Sequence, residues 1–75
     1  MAKPGRTFFS RNLRFERELK CLTQEYMAEE LHMTPGAYAR WERGEREPGT
    51  EAIARLADVL EIPVQNLFKR EERMA

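Results

Sequence analysis

Only His32 and Met33 separate one helical stretch, ending at Leu31, from the start signal of the next, Thr34-Pro35. Thr34 suits the N-cap, where its side-chain oxygen accepts from a backbone N–H that the helix leaves unpaired. Pro35 suits the first helical position, because the amide hydrogen it lacks would have no partner there. Two helices joined by so tight a turn must cross steeply, and the second can then project from the globule. Gly44 ends this second helix, since glycine takes the left-handed conformation beyond a helix end at little cost.

The remaining segments also read as helices, and no stretch alternates apolar and polar residues as a half-buried strand would. Ser10 is the expected N-cap of the first helix, which runs to about Lys20 with Leu13 and Arg17 inward and Phe9 leading in. The second spans about residues 24–31, with Thr23 as N-cap and Met27, Ala28 and Leu31 on its buried edge. The third spans about residues 35–43 and sets Tyr38 and Trp41 three apart on one face, a spacing that suits core packing. Thr50 is the expected N-cap of the fourth, which runs from Glu51 to about Leu60. Its Ile53, Leu56, Ala57 and Leu60 follow the spacing of a core-facing helix. Pro63 opens a short fifth helix carrying Val64, Leu67 and Phe68. The expectation is an all-α domain of five helices over residues 10–68, with a flexible basic arm at 1–9 and a short tail at 69–75.

A chain of 75 residues has room for one small core, and its 41% apolar and 35% charged residues suit a helix-rich globule. No apolar run approaches the roughly 18 residues that cross a bilayer. Met1 to Arg11 holds no continuous apolar stretch after its basic residues, so it does not read as a secretory signal, and cytoplasm is the expected compartment. Cys21, the only cysteine, cannot form an internal disulfide, and one thiol with one histidine makes no zinc site. It is expected to be a small packed residue. No metal, cofactor or membrane partner is expected. Formal net charge is zero, from 13 basic and 13 acidic residues, which argues against a general polyanion binder. The charge is unevenly placed. Residues 1–20 carry Lys3, Arg6, Arg11, Arg14, Arg17 and Lys20 against Glu16 and Glu18, whereas residues 21–39 carry only Glu25, Glu29 and Glu30. Arg40, Arg43 and Arg46 then alternate with Glu42, Glu45 and Glu47.

"LTQEYMAEELHMTPGAYARWERGEREP", residues 22–48, followed by "IARLADVLEIPVQNLF", residues 53–68, resembles the phage-repressor-like family (lambda-repressor-like, Xre-type or Cro-cI-type) of helix-turn-helix DNA-binding domains. The likeness covers about residues 11–68. It rests on a combination: Thr23-Gln24 opening helix two, Ala28 within it, Trp41-Glu42-Arg43-Gly44 closing helix three, Pro48, and Leu56-Ala57 with Leu60 in helix four. The resemblance implies a compact five-helix domain that binds double-stranded operator DNA, as a homodimer on an inverted repeat, with helix three in the major groove. It implies that Gln24 meets a phosphate or an outer base. Thr34, Pro35, Gly36, Ala37 and Arg40 would form the groove-facing side of the recognition helix, and Arg43 and Arg46 would touch the DNA backbone after it. It also implies a structural ion pair between Arg17 and Glu42.

Two positions depart from the family pattern. His32 stands where the turn usually has glycine, a position that wants positive φ. Pro35 and Gly36 stand where relatives often carry long polar side chains, and neither can bond a base edge through a side chain. Base reading then falls to Arg40, helped by Thr34 and Gln24, since a guanidinium can grip guanine O6 and N7 together.

The expected function is sequence-specific transcriptional regulation, most readily repression. A phage- or plasmid-type repressor, a restriction-modification controller and an antitoxin would all share this appearance. The second reading is a protein-interaction module on the same scaffold, an antitoxin or adaptor that holds a toxin or effector. Zero net charge and the bare positions 35 and 36 favour it. Val64, Leu67 and Phe68 either cap the small core or supply a dimer face. An enzyme is not expected, for want of a paired-carboxylate cleft, a supported Cys/His dyad or a glycine-rich phosphate loop.

Overall fold

The computed structural model describes residues 7–69. Four α-helices follow one another, α1 (Phe8–Leu19), α2 (Gln24–Glu30), α3 (Pro35–Arg43) and α4 (Thr50–Leu60), and then a 3-10 helix, Val64–Phe68. The expected fifth α-helix is therefore corrected to a single 3-10 segment. Pro63 and Lys69 flank it in extended backbone, so only five residues are helical, a length at which i to i+3 bonding is usual.

The helix starts follow their capping side chains. Thr23 Oγ1 accepts from Tyr26 N at 2.9 Å and Thr34 Oγ1 from Ala37 N at 3.1 Å. At α1 the cap is Thr7, not Ser10. Thr7 Oγ1 accepts from Ser10 N at 3.1 Å while Ser10 Oγ accepts from Thr7 N at 2.7 Å, so each satisfies the other's amide. Thr7, Phe8 and Phe9 thus belong to the folded body rather than to the arm expected at 1–9. Residues 1–6 of that arm and 70–75 of the expected tail lie outside the described residues. At α4 the cap is Gly49 rather than Thr50, because the chain already turns helical one residue earlier and Gly49 O accepts from Ile53 N at 2.9 Å.

All four α-helices end the same way. Each is followed by a residue with positive φ: Cys21, His32 and Glu61 at 58° and Gly44 at 78°. In each case the next N–H reaches back five residues: Leu22 to Arg17 O at 3.1 Å, Met33 to Ala28 O at 2.9 Å, Glu45 to Arg40 O at 3.0 Å and Ile62 to Ala57 O at 3.0 Å. This bond satisfies a carbonyl that the helix end leaves open. Leu22, Met33 and Ile62 also pack against the core, which holds three side-chain-bearing residues in a conformation glycine would adopt more cheaply. Cys21 consequently is exposed, not packed as expected, because Leu22 takes the inward place beside it. His32→Gly is expected to raise the unfolding free energy by about 1 kcal/mol, the strain of a left-handed L-residue. A urea midpoint that stays put or falls would contradict this.

The core consists of Phe9 and Leu13 from α1, Met27 and Ala28 from α2, Tyr38 from α3, Leu56, Ala57 and Leu60 from α4, and Leu67. Burial of these side chains holds the short helices in place, since helices of this length are marginal alone. α3 rests on α1 and α2, and the 3-10 helix rests on α1 and α4. Buried Asn12 fastens the 3-10 helix by donating Nδ2 to the carbonyls of Leu67 at 3.2 Å and Lys69 at 2.8 Å. Among the described residues no helix is long and apolar enough to cross a membrane.

Candidate nucleic-acid interface

α3 turns Tyr38 and Glu42 inward, four residues and about one turn apart. Its outer edge then carries Thr34, Pro35, Gly36, Ala37, Arg40 and Arg43, all exposed, and the following loop adds exposed Arg46. A Cβ placed on Gly36 would meet nothing within 4 Å, so the front of the helix is open. Pro35 and Gly36 keep that front low, which lets the α3 backbone approach another surface closely. Trp41 is half-buried behind this edge, with its ring centroid 6.0 Å from that of Tyr38 in an edge-on contact.

The three arginines differ in their surroundings. Arg43 donates Nε and Nη2 to Glu45 Oε2 at 2.8 Å and Oε1 at 3.1 Å. This hydrogen bonding raises the Arg43 guanidinium and lowers the Glu45 carboxyl from their ordinary values. Both groups lie in water, where such a pair adds little stability, so an incoming anion can take the place of Glu45. Among the described residues Arg40 and Arg46 have no hydrogen-bonded acidic partner.

Behind the edge lies a buried polar hub. Glu42 Oε2 accepts from Arg17 Nε at 2.6 Å and from Tyr38 Oη at 2.5 Å, and its Oε1 accepts from Arg17 Nη2 at 3.1 Å and Gln24 Nε2 at 3.0 Å. Arg17 Nη1 also donates to Leu22 O at 2.7 Å. The hub thus ties α1, the segment leading into α2, α2 itself and α3 together. Burial pushes the Glu42 carboxyl up, but hydrogen bonds from Arg17, Tyr38 and Gln24 outweigh it and leave the group below its ordinary value. The bond to Glu42 holds the Arg17 guanidinium above its ordinary value. Burial, with the bond to Glu42, pushes the Tyr38 hydroxyl well above the usual phenol range. Charged Arg17 and Glu42 and neutral Tyr38 are the forms this arrangement favours.

Sequence reasoning placed Tyr38 as an apolar core residue and missed its hydroxyl. The signal was present: Tyr38 and Glu42 are four apart on one helix, where side chains meet. It also set Gln24 against an outside partner, whereas its amide nitrogen is engaged inside. Val64, Leu67 and Phe68, expected either to cap the core or to supply a dimer face, are placed differently from one another. Leu67 is fully buried, because Asn12 draws its backbone onto α1. Val64 and Phe68 remain exposed, and with Ile53, Ala57 and Ile62 they line an open apolar groove of about 560 Å³.

A tightly turned helix pair with a buried ionic hub behind it and an arginine-bearing edge in front defines a helix-turn-helix unit. A family model described as helix-turn-helix matches residues 13–67. The chain belongs to the lambda-repressor-like, Xre-type helix-turn-helix family. It is 38% identical over 63 residues to the uncharacterised HTH-type transcriptional regulator YqaE of Bacillus subtilis, a match that covers 84% of this chain and 54% of that one. The chain therefore spans about half the length of that relative. Its fold is similar to the restriction-modification controller protein C.AhdI from Aeromonas hydrophila, with a TM-score of 0.76 and 33% identity over 81% of this chain and 92% of that one. It is also similar to part of the hydroxypropylphosphonic acid epoxidase of S. wedmorenis, with a TM-score of 0.77 and 31% identity over 88% of this chain and 35% of that one.

Proposed function

We propose that this chain is a double-stranded DNA-binding transcriptional regulator that acts as a repressor in the cytoplasm. Helix α3 enters the major groove, Arg40 reads guanine, and Arg43 and Arg46 meet backbone phosphates. One observation carries this reading: an exposed arginine edge stands in front of a helix held rigidly from behind by the Glu42 hub. Direct readout needs such a helix, because side chains must reach base edges without the scaffold yielding. Gly36 and Ala37 support it by letting the helix front sink close to the bases. Zero net charge is compatible, since phosphate contacts depend on where cations lie rather than on their total.

The chain works as a homodimer on an inverted repeat, with half-sites about 34–36 Å apart, one DNA turn. The groove of Ile53, Val64 and Phe68 is the surface that supports self-association. Selection of bound duplexes from a randomised pool by the purified chain tests the reading. An inverted repeat with a fixed guanine in each half-site is expected. A pool that stays random after repeated rounds would contradict it.

A second reading has one observation in its favour. The same helical unit forms about a third of an epoxidase chain, so the scaffold also occurs within a catalytic protein. On that reading α3 or the apolar groove holds a partner protein, such as a toxin or an effector. Tight binding of a protein with no duplex affinity above a weak nonspecific level would favour it.

A further inference from the structure

An acid stands on the edge that carries the arginines. Gly44 turns the chain back at positive φ, and the N–H groups of Glu45 and Arg46 then bond Arg40 O at 3.0 and 3.4 Å. The Glu45 backbone is thereby pinned to the last turn of α3. Its side chain receives Arg43 Nε at 2.8 Å and Arg43 Nη2 at 3.1 Å, one nitrogen on each oxygen. A guanidinium grips a phosphate with the same two-pronged geometry. The hydrogen bond from Arg43, and after it the charges of Arg43 and Arg40, hold the Glu45 carboxyl below its ordinary value, so it is ionised at neutral pH.

The pair does little for the fold. Both groups lie in water and sit two residues apart, so the bond ties no elements together. Its effect falls on binding instead. A phosphate that takes Arg43 must displace a carboxylate held by the same two nitrogens, and that carboxylate stays nearby as a like charge. Arg43 and Glu45 together also add no net charge to the edge, so on binding they release no net counterion, as a lone arginine would. We infer that Glu45 is an internal stand-in for a DNA phosphate, which occupies Arg43 and lowers the affinity of the α3 edge for any duplex. A duplex that offers only phosphates meets this cost with nothing in return, whereas one with matching bases offsets it through Arg40. The inference rests on the DNA-binding reading and adds to it a residue that restrains binding.

The test compares wild type, Glu45→Gln, Arg43→Ala and the double variant, all as full chains. The probes are a duplex selected from a randomised pool and a scrambled duplex of the same length, each over a salt series. Glu45→Gln is expected to tighten both duplexes alike by about two- to fivefold, the range of an exposed ion pair, with a salt slope steeper by about one. In the Arg43→Ala background the same change should gain clearly less, because no guanidinium is set free. Unchanged or weaker binding by Glu45→Gln overturns the inference. So does a gain confined to one base pair, which would make Glu45 a reader of bases. An equal gain with and without Arg43 overturns it as well, since Glu45 would then act through net charge alone. If neither wild type nor Glu45→Gln binds any duplex in dilute buffer, the DNA-binding reading falls and this inference falls with it.

Discussion

Replacing Glu42 with alanine is expected to destabilise the fold by about 3–5 kcal/mol, the cost of leaving a buried charge without its counter-ion. Arg17 is 9% exposed, and two of its nitrogens lose their acceptor in the variant. The Tyr38 hydroxyl and the Gln24 amide nitrogen lose theirs as well. A small domain has about 5–15 kcal/mol in total, so the loss removes a large part of it. Urea unfolding followed by circular dichroism measures the effect, and a change under about 1 kcal/mol would contradict the role given to the hub. Exchanging both partners for apolar residues of similar volume should cost much less, because no charge is then stranded.

The same hub fixes the sign of an acid effect. The Glu42 carboxyl is held below its ordinary value in the folded chain, so the unfolded chain binds protons first as pH falls. Its contribution is fully present above the unfolded value, about 4.3, and is lost as pH drops through the folded one. Glu42→Gln should be less stable near neutrality and should respond less to acid in that window. A wild-type stability that is flat across the acid range would oppose this.

Replacing Arg40 with alanine is expected to leave stability unchanged while weakening the selected duplex by roughly 5- to 150-fold, the 1–3 kcal/mol of a guanidinium–guanine pair. Arg40 is exposed and has no hydrogen-bonded acidic partner among the described residues, so its removal strands nothing. The loss should fall on one guanine of each half-site, and that position should become tolerant of other bases. Arg46→Ala should instead weaken all sequences alike and make the salt slope shallower by about one. Equal losses across sequences for Arg40→Ala would move Arg40 from the base to the backbone.

Local chemistry made much of this architecture legible. Thr23, Thr34, Pro35 and Gly44 mark helix ends through their own side chains or backbone freedom, and the structure places those ends there. Other ends depend on distant packing. Cys21 and Glu61 take positive φ because Leu22 and Ile62 dock on the core, which no feature of either residue announces. Ser10 misled because it does take part in a capping pair, but from the third helical position. The exposed edge of α3 followed from helical spacing once its inward face was known. The meeting of Arg17 with Glu42 came only from the family resemblance, since a separation of 25 residues leaves no local trace. The sequence leaves open whether Leu67 caps the core or stays free for a dimer face, because its burial depends on Asn12 of α1, far away in sequence.

Amide chemical shifts of the labelled full chain, followed as the selected duplex is added, bear most directly on where DNA sits. The largest changes are expected at Thr34, Gly36, Ala37, Arg40, Arg43 and Arg46, along the exposed edge of α3. Changes confined to the groove of Ile53, Val64 and Phe68, or none at saturating duplex, would mean that this edge does not receive DNA.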